Sequence, residues 1–168
     1  MAPCGSVIAA LSSIVRHMTL DHVLRNHGFT RGLTDAQIRA LALLAAEVTF
    51  EENEVCLAQG QRSRSFYFIV SGSVAVELRT PHFTVCVQAL GADQTFGWSS
   101  LLDVQDTLFQ VRARERTTAL YLDGAGLVEA FNTDLELGTE FLRRALKVAA
   151  ERLQATEVRF AEMCGVRV

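Results

Sequence analysis

The 168-residue chain has few of the features that stiffen, cross-link or anchor a protein. Its two prolines, Pro3 and Pro81, leave no room for a Pro-rich linker. The four cysteines (Cys4, Cys56, Cys86, Cys164) contain no C-x-x-C pair, so they read as free thiols and not as a disulfide framework or zinc site. No run approaches the roughly 18 apolar residues of a membrane span. The opening residues, MAPCGSVIAALSSIVR, lack the basic start and long apolar stretch of a secretory signal, and a cytoplasmic protein is expected. Lys147 is the only lysine, and the net charge of −3 lacks the basic bias of a nucleic-acid binder. No G-x-S-x-G, H-E-x-x-H, Walker loop or G-x-G-x-x-G is present, so a non-catalytic role is expected. His17, His22 and His27 are five apart and fall on different helical faces. With His82 beside a turn, they read as surface groups and not as metal ligands.

What is present is ordinary globular material, 49% apolar and 21% charged, enough for one core. Val7, Leu11, Ile14, Val15 and Met18 share a helical face, and a second short helix stops at His27–Gly28. Thr34-x-x-Gln37 is a capping box, opening a helix with Ile38, Leu41, Leu43, Leu44 and Ala45. From Val48 the period changes to two. Val48/Phe50, Val55/Leu57, Phe66–Val70, Val74/Val76/Leu78, Val85/Val87, Phe109/Val111/Ala113 and Leu120/Leu122 predict short strands. The fold class is therefore mainly β with flanking helices, a jelly roll (double-stranded β-helix) with an N-terminal helical arm and a long C-terminal helix.

Asp123 reads as the N-cap of a short helix through Phe131, and Thr133-x-x-Glu136 as a second capping box. The helix that follows carries Leu135, Leu142, Leu146, Ala149, Leu153 and Phe160 at heptad-like spacing. Such a seam either packs on the chain's own barrel or pairs with another copy or subunit. Its apparent excess over one small barrel favours an interface through Leu135, Leu142, Leu146, Leu153 and Phe160, in a homodimer or a larger complex.

Several patterns carry a family resemblance. Phe29–Thr30–Arg31–Gly32–Leu33–Thr34 resembles an F-x-x-L-[ST] lead into a helical bundle. Phe50 to Val55 resembles a first strand turn with Asn53 in place of glycine, a tame exchange because asparagine tolerates positive φ. Gly60, then Phe66–Tyr67–Phe68–Ile69–Val70–Ser71–Gly72, resembles "G … YxIxxG", and Phe96–Gly97 leads into a cassette. In this order they resemble the cyclic-nucleotide-binding domain of the catabolite-activator type over about residues 28 to 160. The resemblance implies a helical arm at 1–27 and a cyclic-nucleotide-binding-like domain at 28–168.

In that family a glutamate directly after Phe-Gly binds the ribose hydroxyl, and an arginine on the following strand neutralises the phosphate. Here Trp98 follows Phe96–Gly97. Aligning Phe109–Gln110–Val111–Arg112–Ala113 with the family's "A-T-V-x-A" puts Thr107 at the arginine position. A charge-assisted contact contributes roughly 1.5–3 kcal/mol, so losing both weakens cyclic-nucleotide binding by about three orders of magnitude. Phe96, Gly97, Trp98, Ser99, Ser100, Thr107 and Phe109 remain as a candidate pocket, with Arg64 as a possible replacement charge. Trp98 and Phe109 either plug an obsolete site or leave a nucleotide or organic-acid site with Trp98 as stacking platform. Arg112, Arg114 and Arg116 alternate away from the pocket side.

The chain ends at Val168, soon after the long helix, so no winged helix and no DNA contact are expected. The reading is a regulatory or accessory module that works through a protein partner. A second resemblance, to the small accessory subunit of NAD-reducing soluble hydrogenases, implies a redox complex and NADPH. A plain cyclic-nucleotide sensor is the third reading.

Overall fold

A computed structural model describes residues 19–102 and 106–165. The helical face at Val7 to Met18, and with it most of the expected N-terminal arm, lies outside the described residues.

Helix α1 (residues 19–26) ends before a 3-10 turn at Gly28–Thr30. Helix α2 (Asp35–Leu44) begins at the expected capping box, Thr34 accepting from the Gln37 N–H while the Gln37 side chain accepts from the Thr34 N–H. It stops at Leu44, and Ala45 already belongs to strand β1 (Ala45–Phe50). Seven further strands follow: β2 (Val55–Leu57), β3 (Ser65–Ser71), β4 (Ser73–Arg79), β5 (Thr84–Gly91), β6 (Thr95–Phe96), β7 (Gln110–Ala113) and β8 (Thr117–Asp123). They form two four-stranded antiparallel sheets, ordered β1-β8-β3-β6 and β2-β7-β4-β5, the jelly-roll arrangement expected. β6 is too short to leave a period in the sequence and was absent from the expectation. The turn at Asn53 has φ 68°, as the exchange for glycine anticipates.

Alternation along β3 divides the core. Phe66 and Phe68 face the helices, where Phe29, Phe131 and Phe141 close an aromatic cluster with ring centroids 4.9–5.4 Å apart along Phe29–Phe66, Phe29–Phe68, Phe29–Phe141, Phe66–Phe141 and Phe131–Phe141. Ile69 faces the other sheet with Val74, Val76, Leu90, Phe96 and Val111. Burying each such ring contributes about 1.5–3 kcal/mol, so this strand holds both layers together.

Helix α3 (Gly124–Thr133) is capped by Asp123, which accepts from the Gly126 N–H at 3.0 Å. The second capping box is not formed. Asp134, one residue later, caps helix α4 (Leu135–Met163) by accepting from the Leu137 N–H at 2.9 Å. Thr133 is still inside α3, and its hydroxyl donates to the Glu129 carbonyl. α4 is the longest helix, with 29 residues. Leu137, Phe141 and Ala145 are buried against the domain, and Val148 packs beside them. The seam faces the other way: Leu135 is 73%, Leu146 70%, Leu153 60% and Phe160 68% exposed, with Leu142 also exposed. Packing on the chain's own barrel is therefore not the seam's role. Among the described residues no helix is long and apolar enough to cross a membrane.

His27 departs from the surface position expected of it, since only 3% of it is exposed. Its Nδ1 accepts from the Phe29 N–H at 3.2 Å, and its ring stands edge-on to Phe68 with centroids 5.2 Å apart. Burial pushes its pKa below the ordinary 6.5 although Asp93 pulls the other way. The unfolded chain then binds the proton more readily, so folded stability falls as pH drops through 6.5 toward the lowered folded value. Urea midpoints between about pH 8 and about pH 5.5 should decline in the native protein, and His27→Asn, which keeps an acceptor for Phe29, should flatten that decline. An identical slope in the variant would show that another group titrates.

Candidate functional site

The segment after β6 is held by two close approaches that exclude side chains. Gly97 has φ 81°, and a Cβ there would lie 2.3 Å from the Ser65 carbonyl oxygen of β3. A Cβ on Gly124, at the start of α3, would lie 2.4 Å from the Ser100 carbonyl oxygen. Between these contacts runs a four-residue 3-10 turn, Trp98–Leu101. Phe96 in front of it stacks on Tyr67, rings 4.5 Å apart and 6° from parallel.

Beside this turn opens a cavity of about 540 Å³. The structure brings Phe96, Gly97, Trp98, Ser99, Thr107 and Phe109 together in its wall. Trp98 also packs on the helical core and Phe109 on the inter-sheet core, so the two rings narrow the cavity without filling it. The remaining wall is mostly aliphatic, from Leu57, Val76, Leu102, Leu108 and Val111. Among the described residues, Asp106, exposed, and Arg152 of α4 are its charged residues.

Two expected site residues are elsewhere. Ser100 does not line the cavity, and its hydroxyl is buried without a partner. Arg64 does not line it either. Its carbonyl accepts from the Gly124 N–H at 2.8 Å, and its side chain is exposed, because residue 64 lies on the stretch that ties β3 to α3.

Thr107 is committed to the protein. Its hydroxyl hydrogen is shared between the Ala58 and Gln61 carbonyls, each at 3.2 Å. Its N–H donates to the Gln61 carbonyl at 3.0 Å. Neither donor is left for a phosphate. Arg112 is likewise spent: it pairs with Glu77 at 3.2 Å and donates to the Asn53 carbonyl at 2.6 Å, in keeping with a strand position facing away from the cavity. The half-buried Cys56 thiol is pushed up to about 12, chiefly by desolvation, which leaves it protonated and unreactive near neutral pH. Among the described residues, no group of three or more His, Cys, Asp or Glu side chains is placed to hold a metal.

Arg152 was not among the expected site residues. The signal lay in its phase: Leu137, Phe141, Ala145, Val148 and Arg152 recur every three or four residues, so the arginine continues the inward stripe of α4.

The sequence pattern of the cyclic nucleotide-binding domain matches residues 47–134, more than half of the chain. The chain belongs to the cyclic nucleotide-binding domain family. Solved structures agree on the fold. A cyclic nucleotide-binding domain from Methylobacillus flagellatus is 17% identical, with TM-score 0.73 over 88% of this chain and 83% of that one. The regulatory subunit of a cAMP-independent protein kinase A from Trypanosoma brucei is 21% identical, with TM-score 0.69 over 90% of this chain and 53% of its own. A triple mutant of that subunit, one of whose changes is threonine to arginine, is described bound to cAMP in the A site, at 22% identity and TM-score 0.70 over 90% of this chain and 53% of its own. No curated protein matches. None of these relatives is described as a hydrogenase subunit.

The Trp98 indole in the cavity wall can donate a hydrogen bond but cannot accept one from a hydroxyl. Thr107 stands in the same wall with both of its donors already used.

Proposed function

We propose that the chain is a non-catalytic regulatory module that keeps the family's cleft, does not answer to cyclic AMP or cyclic GMP, and acts on a protein partner through α4. The observation that carries this reading is the pair Trp98 and Thr107 where the charged contacts to ribose and phosphate belong. The Trypanosoma brucei subunit supports it: the kinase is described as cAMP-independent, and a mutant with threonine exchanged for arginine as bound to cAMP. NADPH suits the cleft poorly, because a dinucleotide brings several phosphate charges and, among the described residues, the wall offers Arg152 as its one cation. An accessory role in a redox complex therefore rests on no feature of this site.

Millimolar cyclic AMP or cyclic GMP should leave the melting midpoint of the native protein unchanged. A ligand at one hundred times its Kd adds about 2.7 kcal/mol, or roughly 5–10 °C for a chain of this length. Trp98→Glu combined with Thr107→Arg should acquire such a shift, with Phe109→Ala enlarging it if the ring still obstructs the base. A clear shift in the native protein would restore the second-messenger reading.

The exposed seam runs at steps of 7, 4, 7 and 7 through Leu135, Leu142, Leu146, Leu153 and Phe160, the pattern of a helix that packs on a second helix. A second copy of α4 offers the same repeat and is the simplest occupant. Leu146→Glu with Leu153→Glu should reduce the molar mass measured by light scattering to that of one chain, with circular dichroism unchanged. If the native chain is already monomeric, or the variant associates as before, the seam is not a self-interface.

A further inference from the structure

Arg152 is a costly residue where it stands. Its Nε is buried without a hydrogen-bond partner, and among the described residues no carboxylate offsets the loss of solvent, so burial pushes the guanidinium down to about 10. The helix presents it to the cleft deliberately in geometric terms, because it lies eleven residues beyond Phe141, three turns along the same face. Phe141 is fixed in the aromatic core, so α4 cannot rotate the arginine away without lifting that ring out.

We propose that Arg152 is the anion anchor of this cleft, delivered from α4 instead of from the strand after the cassette, and that the cleft takes a carboxylate carried on a flat apolar body. The inference rests on the reading above that the cleft is a ligand site without its cyclic-nucleotide contacts. The chemistry follows from the lining. One guanidinium matches one carboxylate, fork to fork. A phosphate dianion leaves a charge unbalanced among Leu57, Val76, Leu108 and Val111, and Asp106 opposes a second negative group. Trp98 and Phe109 supply flat faces for the body of the ligand. A rival role exists next door: Arg152 also borders a second cleft of about 370 Å³, where Gln88 Oε1 and Thr95 Oγ1 are buried without partners and a water could bridge all three.

The test uses the full chain and three probes: 2-naphthoate, its neutral counterpart 2-naphthalenemethanol, and cyclic AMP. Calorimetry should give a preference for the carboxylate over the alcohol of at least about tenfold, the scale of one charge-assisted contact. Arg152→Met should erase that preference while still binding the alcohol, and its unliganded melting midpoint should equal or exceed the native one, since an uncompensated buried charge has been removed. Arg152→Lys should keep a weakened preference. Trp98 is the only tryptophan, and its emission should change with both naphthalenes. The proposal is overturned if the native protein fails to bind 2-naphthoate or does not distinguish it from the alcohol. It is equally overturned if Arg152→Met keeps the preference, or melts lower than native as a bridging role beside Gln88 and Thr95 requires. Binding of cyclic AMP by the native chain contradicts the preceding reading of the cleft instead, and it is scored separately from the carboxylate preference.

Discussion

Strand β3 has an apolar neighbour on each face, and the positions of the helices and of the cleft both follow from it. Phe66 and Phe68 leave no freedom to the helical layer, because Phe29 and Phe141 close on them from opposite ends of the chain. On the other face Tyr67 stacks on Phe96, which sets where β6 ends and where the cassette turn starts. The backbone of the same strand, at Ser65, then approaches Gly97 too closely for any side chain. Three turns beyond Phe141, the phase of α4 brings Arg152 over the cavity.

How much of this was legible in the sequence follows from how each residue signals. Alternating Val and Phe in the strands, the Thr34/Gln37 box and the Leu seam of α4 are periodic or local, and the structure forms them where the pattern puts them. The cassette residues were placed by family resemblance, and Trp98, Thr107 and Phe109 do meet in one wall. The failures share a different physics. His27 has a polar ring that reads as surface, yet its burial is set by Phe68 and the turn after α1, contacts distant in sequence. Thr133 and Asp134 are both good caps, and tertiary packing of α3 on α4 selected the second. Arg64 was placed by loop position alone, which says nothing about where a side chain points. Arg152 sits between Glu151 and Leu153 and reads as part of a solvated face until the inward stripe is traced through Phe141 and Ala145.

The polarity of the cleft is set by few residues, with Arg152 and Asp106 as its charged groups among the described residues. In the proposed reading, Thr107, which ties residues 58 and 61 to the cavity wall, and the Trp98 indole stand in place of the family's charged contacts, and Arg152 brings a cation in from the helix. This moves charge recognition onto the same element that carries the exposed seam, with Arg152 and Leu153 adjacent in sequence but facing the cavity and the solvent respectively. In the proposed reading, a ligand held by Arg152 acts on the same helix that carries the exposed seam.

The most direct measurement is the nuclear magnetic resonance of the Arg152 side-chain Nε–H group in uniformly ¹⁵N-labelled protein, assigned by its loss in Arg152→Met. The account predicts that 2-naphthoate moves this resonance saturably, with cyclic AMP and 2-naphthalenemethanol leaving it in place. A resonance that follows cyclic AMP, or that ignores the carboxylate, would contradict it.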